Sequence, residues 1–240
     1  MKKMISTFLS GALLLFPLSA VLAYDGGAVS DGGTITGSVK FKGTAPAPKK
    51  IEANKDTEVC GKTQKFDESL IVSGGNLVNA VVYISDIKKG KKIEPKKVTL
   101  DQKGCDYQPH VLAFPAGSSL DIVNDDGILH NIHSYSKTNS PFNLAQPKFK
   151  KTITQKIDKP EFNPPINVKC DVHGWMNGWL FVAENPYFAV TQKDGSFKLT
   201  DVPPGNYTVE VWHETLGKTT QKVTVKAKEE AKVNFEMAKK

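Results

Sequence analysis

The chain has 240 residues, with 32 lysines, no arginine and a formal net charge of +7. The lysines fall in short pairs, Lys49-Lys50, Lys88-Lys89, Lys96-Lys97 and Lys150-Lys151, among acidic residues and without a nucleic-acid-binding motif. With no guanidinium to fork onto phosphate, this composition argues against nucleic acid as a partner and describes a solvated basic surface that would steer an acidic one.

Residues 1–23 carry Lys2 and Lys3, then an apolar run, and end at Val21-Leu22-Ala23. That order predicts a secretory signal peptide cleaved near Ala23, and hence a periplasmic or secreted protein. No cysteine at the junction points to a lipid anchor, and no other run has the length of a membrane span. The remainder is long enough for one large or two small domains, each with its own core.

Residues 24–33, rich in Gly, Ser and Asp, read as a flexible leader. Residues 34–42 alternate, with Ile35, Gly37, Val39 and Phe41 on one face, as a half-buried strand does. Prolines at 46 and 48 break the pattern, and the stretch to Glu68 is polar and turn-rich. Residues 79–85 are apolar on both faces and predict a central strand; residues 88–97 predict a lysine-rich connector. Strands follow at 98–100, 111–114, 119–124 and 131–134, with Pro115-Ala116-Gly117 as a turn. Residues 135–163 are rich in Pro, Asn and Lys, with one strand-like piece at 151–157, and Pro164-Pro165 lead into a strand at 166–170.

The chemistry-bearing stretch comes next. Cys170, His173 and Met176 follow a Cys-x2-His-x2-Met spacing between two strands, so one short loop offers a thiolate, an imidazole and a thioether. Soft and borderline donors of this kind suit copper. A trigonal copper site needs a second imidazole, and His130 supplies it, just after the turn Asn124-Asp125-Asp126-Gly127 and before Asn131. The pattern of a strand, N-D-x-x-x-x-H-N, about forty residues and C-x2-H-x2-M resembles the cupredoxins, and the short ligand loop looks most like the amicyanin type.

The resemblance implies one type 1 copper per chain, held by His130, Cys170 and His173 with Met176 as a weak axial donor. It implies that Asn131 ties the two ligand loops together. It also implies that His173 reaches the surface through an apolar patch containing Gly174 and Trp175, and so serves as the port to a redox protein partner. Trp179, inside a strand, is expected in the core. Export makes three cysteines an odd set; if a metal holds Cys170 as a thiolate, Cys60 and Cys105 are left to form a disulfide.

Past Glu184 the strands shorten and turns come at close intervals, at Lys193-Asp194-Gly195 and Val202-Pro203-Pro204-Gly205. The phrase A-V-T-Q-K-D-G-S-F-K-L-T-D-V-P-P-G-N-Y-T-V resembles the carboxypeptidase regulatory-like, or transthyretin-like, sandwich, a resemblance that implies no chemistry of its own. The expected fold is all-β: a cupredoxin Greek-key sandwich over 98–184 and a smaller sandwich over 185–240. Residues 24–97 form an N-terminal β segment that either stands apart or supplies the first strands of the smaller sandwich. In the second arrangement the copper unit is an insertion.

Of the other histidines, His110, His133 and His213 are ordinary structural residues or, alternatively, a second metal site with Glu214. The expected function is one-electron transfer by an exported copper protein rather than an enzyme. The alternative is a copper storage or delivery module with no redox role. Zinc on Cys170 and His173 is a third reading, weakened by Met176, a poor zinc ligand.

Overall fold

The computed structural model describes residues 24–239; the predicted signal peptide lies outside them. The fold is all-β, with one short helix, Thr57–Cys60, among the described residues. No helix among them is long and apolar enough to cross a membrane.

Strands from both ends of the chain share two sheets. In one, the order is Phe188–Val190, Val81–Ile84, Gly205–His213, Gly217–Val225. In the other, Gly33–Phe41 runs beside Ser196–Val202 and also takes Asn76–Leu77, Glu230–Lys232 and Phe235–Met237 as partners. The alternation of Gly33–Phe41 buries Ile35 and Val39 in the core between these sheets. Gly37 lies in the same row because a Cβ there would overlap the Val233 carbonyl, so the chain passes too close for any side chain.

Residues 97–183 build two further sheets. One has the order Tyr107–Gln108, Lys97–Gln102, Ser118–Asn124, Thr152–Ile157. The other has the order Val111–Pro115, Asn177–Ala183, Glu161–Lys169, His130–Ser134, Asn143–Gln146. Leu100, Leu120, Ile122, Ile132, Val168 and Leu180, all fully buried, fill the space between them.

Val81–Ile84 is buried on both faces for a reason the sequence does not display. Val82 and Ile84 enter the core of their own sandwich, while Val81 and Tyr83 join Val111, Phe181, Ala183 and Trp212 in a separate apolar cluster. That cluster bridges the two sandwiches, with Tyr83 and Phe181 rings 5.0 Å apart.

Two expectations about the strands need correction. Asp25–Gly27 is a strand, pairing in parallel with Lys89–Lys91, where a flexible leader and a connector were expected. Neither piece has an apolar face; what fixes them is a chain of hydrogen bonds, Tyr24 Oη–H to the Lys91 carbonyl (2.6 Å) and the Lys91 amide to Tyr187 Oη (2.8 Å). Asn143–Gln146 is likewise a strand, held by pairing with His130–Ser134 inside the region expected to be mostly loop. The turn-rich stretch before Glu68 forms a two-residue hairpin, Lys50–Ile51 with Lys65–Phe66, around the short helix. A disulfide between Cys60 and Cys105 pins it to the sandwich of residues 97–183, where Ala53 and Val59 pack.

Candidate metal centre

The loop from Cys170 to Met176 joins the antiparallel strands Glu161–Lys169 and Asn177–Ala183. It is closed by two backbone bonds, Cys170 N–H to the Met176 carbonyl (3.2 Å) and Met176 N–H to the His173 carbonyl (2.9 Å). The chain therefore doubles back within seven residues and keeps its donors at one end of the sandwich. His130 opens the neighbouring strand, which pairs with Glu161–Lys169 through His133 and Lys169. One strand-to-strand step thus brings His130 to the loop.

One donor atom each from His130, Cys170 and His173 lie within 4.8 Å of one another. All three residues are buried, and Met176 is buried with Cys170 in the same core. The two Nδ1 atoms face each other at 3.0 Å, and the Cys170 sulfur is 3.8 Å from the His173 Nδ1. The far ring nitrogens are occupied: His130 Nε2 meets Asp126 and His173 Nε2 meets Asp56, each at 2.8 Å. A carboxylate accepts only, so each contact favours the tautomer with its proton on Nε2 and leaves Nδ1 as the ring atom that faces the centre. Two facing lone pairs beside a thiol sulfur need a positive charge between them, a proton or a metal ion. Donors bonded to one transition metal ion at about 2.0–2.3 Å sit about 3–4 Å apart, so the residues present fit such an ion.

The electrostatics prepare the thiol. Burial pushes the Cys170 pKa up, but His130 and the backbone N–H groups of Asn131, His173 and Val172 outweigh it and hold the pKa below the ordinary thiol value. Burial also opposes charge on His130, and Asp126 and Cys170 together overcome it, raising the pKa. At His173 burial wins over Asp56 and the imidazole stays neutral more readily than a free histidine. Asn131 lies between the loops: its amide N–H donates to the Cys170 sulfur (3.5 Å), and its side-chain oxygen accepts the Asp171 amide.

His173 does not reach the surface. Its side chain is fully buried and its outer nitrogen is closed off by Asp56, because the disulfide-pinned stretch before Glu68 folds over it. Trp175 is half-buried, its ring 5.2 Å from that of His173 and its indole N–H donating to the Cys105 carbonyl at 3.1 Å. Trp179 is half-buried and packs against the apolar cluster of Val111, Phe181 and Trp212; it donates to Glu214 at 2.8 Å and meets Trp212 edge-on.

Asp126 and Asp56 are functional candidates that the motif does not include. Asp126, in the turn before His130, also accepts the amides of Gly104 (2.6 Å) and Cys105 (2.7 Å). Its place four residues before His130 in N-D-D-G is a weak local signal; Asp56, 117 residues from His173, has none.

The remaining histidines do not form one cluster: His110 and His213 share the neighbourhood of Glu214, and His133 stands apart beside Asp171. His110 is held by Glu214 and, at 3.5 Å, Glu68; His133 stacks on Tyr135 and contacts Asp171. His213 is buried and accepts the Thr215 amide. Among the described residues none of the three belongs to a group of His, Cys, Asp or Glu donors close enough to hold an ion.

Burial pushes the His213 pKa down to about 4, with Glu214 working in the opposite direction. An unfolded histidine titrates near about 6.5. Between those values the unfolded chain binds a proton that the native chain does not, so stability present above about pH 6.5 is lost as the pH falls towards about 4. The loss is about 3 kcal/mol. Urea unfolding of wild type and His213→Gln across this range should show the variant losing less stability on acidification; parallel profiles would overturn the assignment. His110, whose charge Glu214 and Glu68 favour against its burial, contributes with the opposite sign, and its charge also helps to lower the His213 pKa.

Comparisons with known proteins bear on both sandwiches. Residues 182–238 match the carboxypeptidase regulatory-like domain family. That stretch holds the strands from Phe188 to Met237, whose sheets are completed by Gly33–Phe41 and Val81–Ile84 from the other end of the chain. No curated protein matches the sequence.

The solved structures it resembles include a copper-containing nitrite reductase from Thermus scotoductus (19% identity, TM-score 0.34, covering 50% of this chain). This chain spans only 27% of that protein's length. A purple cupredoxin from Nitrosopumilus maritimus is 19% identical, with a TM-score of 0.29 over 38% of this chain and 100% of its own. Amicyanin from Paracoccus versutus is 18% identical, with a TM-score of 0.31 over 36% of this chain and 81% of its own.

Proposed function

We propose that this is an exported type 1 copper protein that passes single electrons between redox partners, with His130, Cys170, His173 and Met176 as the ligands. The observation that carries the reading is the convergence of two imidazole Nδ1 atoms and a thiol sulfur in one buried pocket. A bound copper ion would supply the one-electron couple. The protein's part is to hold the donors still. Two backbone N–H groups point at the Cys170 sulfur, two carboxylates fix the imidazole tautomers, and burial of all four ligand residues excludes water. A β-scaffold that fixes the donors in both oxidation states reduces the rearrangement each electron requires. The lysine-rich surface would speed encounter with an acidic partner, an effect that weakens as salt is added.

The deciding experiment is the visible spectrum of the oxidised, copper-loaded protein. Wild type should hold one copper per chain and show an intense thiolate-to-copper band, and Cys170→Ser should lack the band. A colourless protein that retains only Cu(I) would replace the carrier with a storage or delivery module. The sealing of His173 under Asp56 is the observation that favours this second reading, since it closes the imidazole edge through which an electron would leave.

A further inference from the structure

We propose that Asp56 is a positioning residue for His173: its carboxylate fixes the proton on Nε2, aims the Nδ1 lone pair at Cys170 and His130, and closes the imidazole edge to water. The proposal rests on the metal-binding reading above and adds to it a control over access that comes from outside the ligand motif.

Asp56 stands immediately before the helix Thr57–Cys60, where an aspartate ordinarily turns its carboxylate onto the helix's first amides. Here it makes no such bond. Its backbone is in the left-handed region, at φ 48° and ψ 47°, a conformation that carries strain for a residue with a Cβ. The carboxylate is directed instead to His173 Nε2, 2.8 Å away, and is the boundary between that ring and solvent: the Asp56 side chain is 34% exposed, the His173 side chain 0%.

The other imidazole is treated the same way. Asp126 holds His130 Nε2 and at the same time accepts the amide of Cys105, which is disulfide-bonded to Cys60, four residues beyond Asp56. The bridge therefore joins the two neighbourhoods that supply a carboxylate to the two rings. Local capping has been given up at Asp56 in favour of a contact spanning 117 residues. Carboxylates placed behind ligating histidines set tautomer and ring orientation, and their loss typically lowers metal affinity 10–100-fold.

The test uses the full chain as wild type, Asp56→Asn and Asp56→Ala. Long-range proton–nitrogen NMR of the metal-free, 15N-labelled protein reads the His173 tautomer directly. Wild type and Asp56→Asn, which keeps an acceptor oxygen, should show a single Nε2–H form with slow exchange of that proton. Asp56→Ala should lose the slow exchange of that proton. In the copper-loaded proteins, bicinchoninate should strip Cu(I) on the order of 10- to 100-fold faster from Asp56→Ala than from wild type.

Retention of the single protected Nε2–H form in Asp56→Ala, or its loss in Asp56→Asn, would overturn the proposal. Unfolding of Asp56→Ala, checked by circular dichroism, leaves Asp56→Asn and the wild-type proton exchange to decide it. A protein that takes up no copper would instead overturn the metal reading, since the metal-free spectra report on the Asp56–His173 contact regardless.

Discussion

Deleting residues 186–240 is expected to strip amide protection from Gly33–Phe41 and Val81–Ile84, although both strands remain in the shortened chain. Gly33–Phe41 would lose Ser196–Val202, Glu230–Lys232 and Phe235–Met237 and keep only the pairing of Lys40 with Asn76. Val81–Ile84 would lose both of its neighbours. Most of the buried side chains around Ile35 and Val39 also come from the deleted part, among them Phe197, Leu199, Val209, Val211 and Phe235. An isolated pair of strands without an opposing face is at best marginally stable in water. Hydrogen exchange read by mass spectrometry should show these segments exchanging as unfolded chain while Lys97–Gln102, Ser118–Asn124 and Asn177–Ala183 stay protected. Persistent protection at Gly33–Phe41 would mean the N-terminal segment folds by itself, and the placement of the sheets of residues 97–183 as an insertion would fail.

The second large effect is expected from Cys60→Ser/Cys105→Ser. The bridge spans 45 residues, both half-cystines are buried, and on the chain-entropy model its removal costs about 4 kcal/mol. The loss should be uneven. The covering stretch has a two-residue hairpin and a single helical turn of its own, so it relies on the bridge and on the buried Lys65, which is paired with Asp106 at 2.9 Å. Denaturant unfolding of the double variant against the oxidised wild type gives the stability change, and exchange at residues 49–66 gives its location. A change below about 1 kcal/mol, or protection at 49–66 equal to wild type, would show that packing of Ala53 and Val59 is sufficient.

What the sequence made legible follows from how local each constraint is. The strands with one buried face declare themselves by alternation, as Ile35 and Val39 do. The loop at the end of the sandwich declares itself because Cys170, His173 and Met176 lie within seven residues, all three buried. That His130 comes to lie beside Cys170 and His173 is legible through the turn that precedes it. Asp25–Gly27 and Lys89–Lys91 are not legible, since their pairing uses backbone groups and two distant tyrosines rather than any apolar pattern.

The position of His173 shows the same limit at the site itself. A short loop between strands at the end of a sandwich suggests an exposed imidazole. Its burial is decided by Asp56 and by a disulfide that reaches across the sequence, and nothing in residues 170–176 encodes either. The Val81–Ile84 strand was readable as buried on both faces, but what covers its second face, Val111, Phe181 and Trp212, was not.

That shared apolar cluster has a consequence for encounter with other molecules. With aromatic rings from each sandwich packed together, any swivel of the half bearing His130 and Cys170 would have to separate Tyr83 from Phe162 and Phe181. A visiting protein that leaves those rings packed meets the sulfur of Cys170 at a set distance from the distal sandwich, and its docking costs no orientational freedom between the halves.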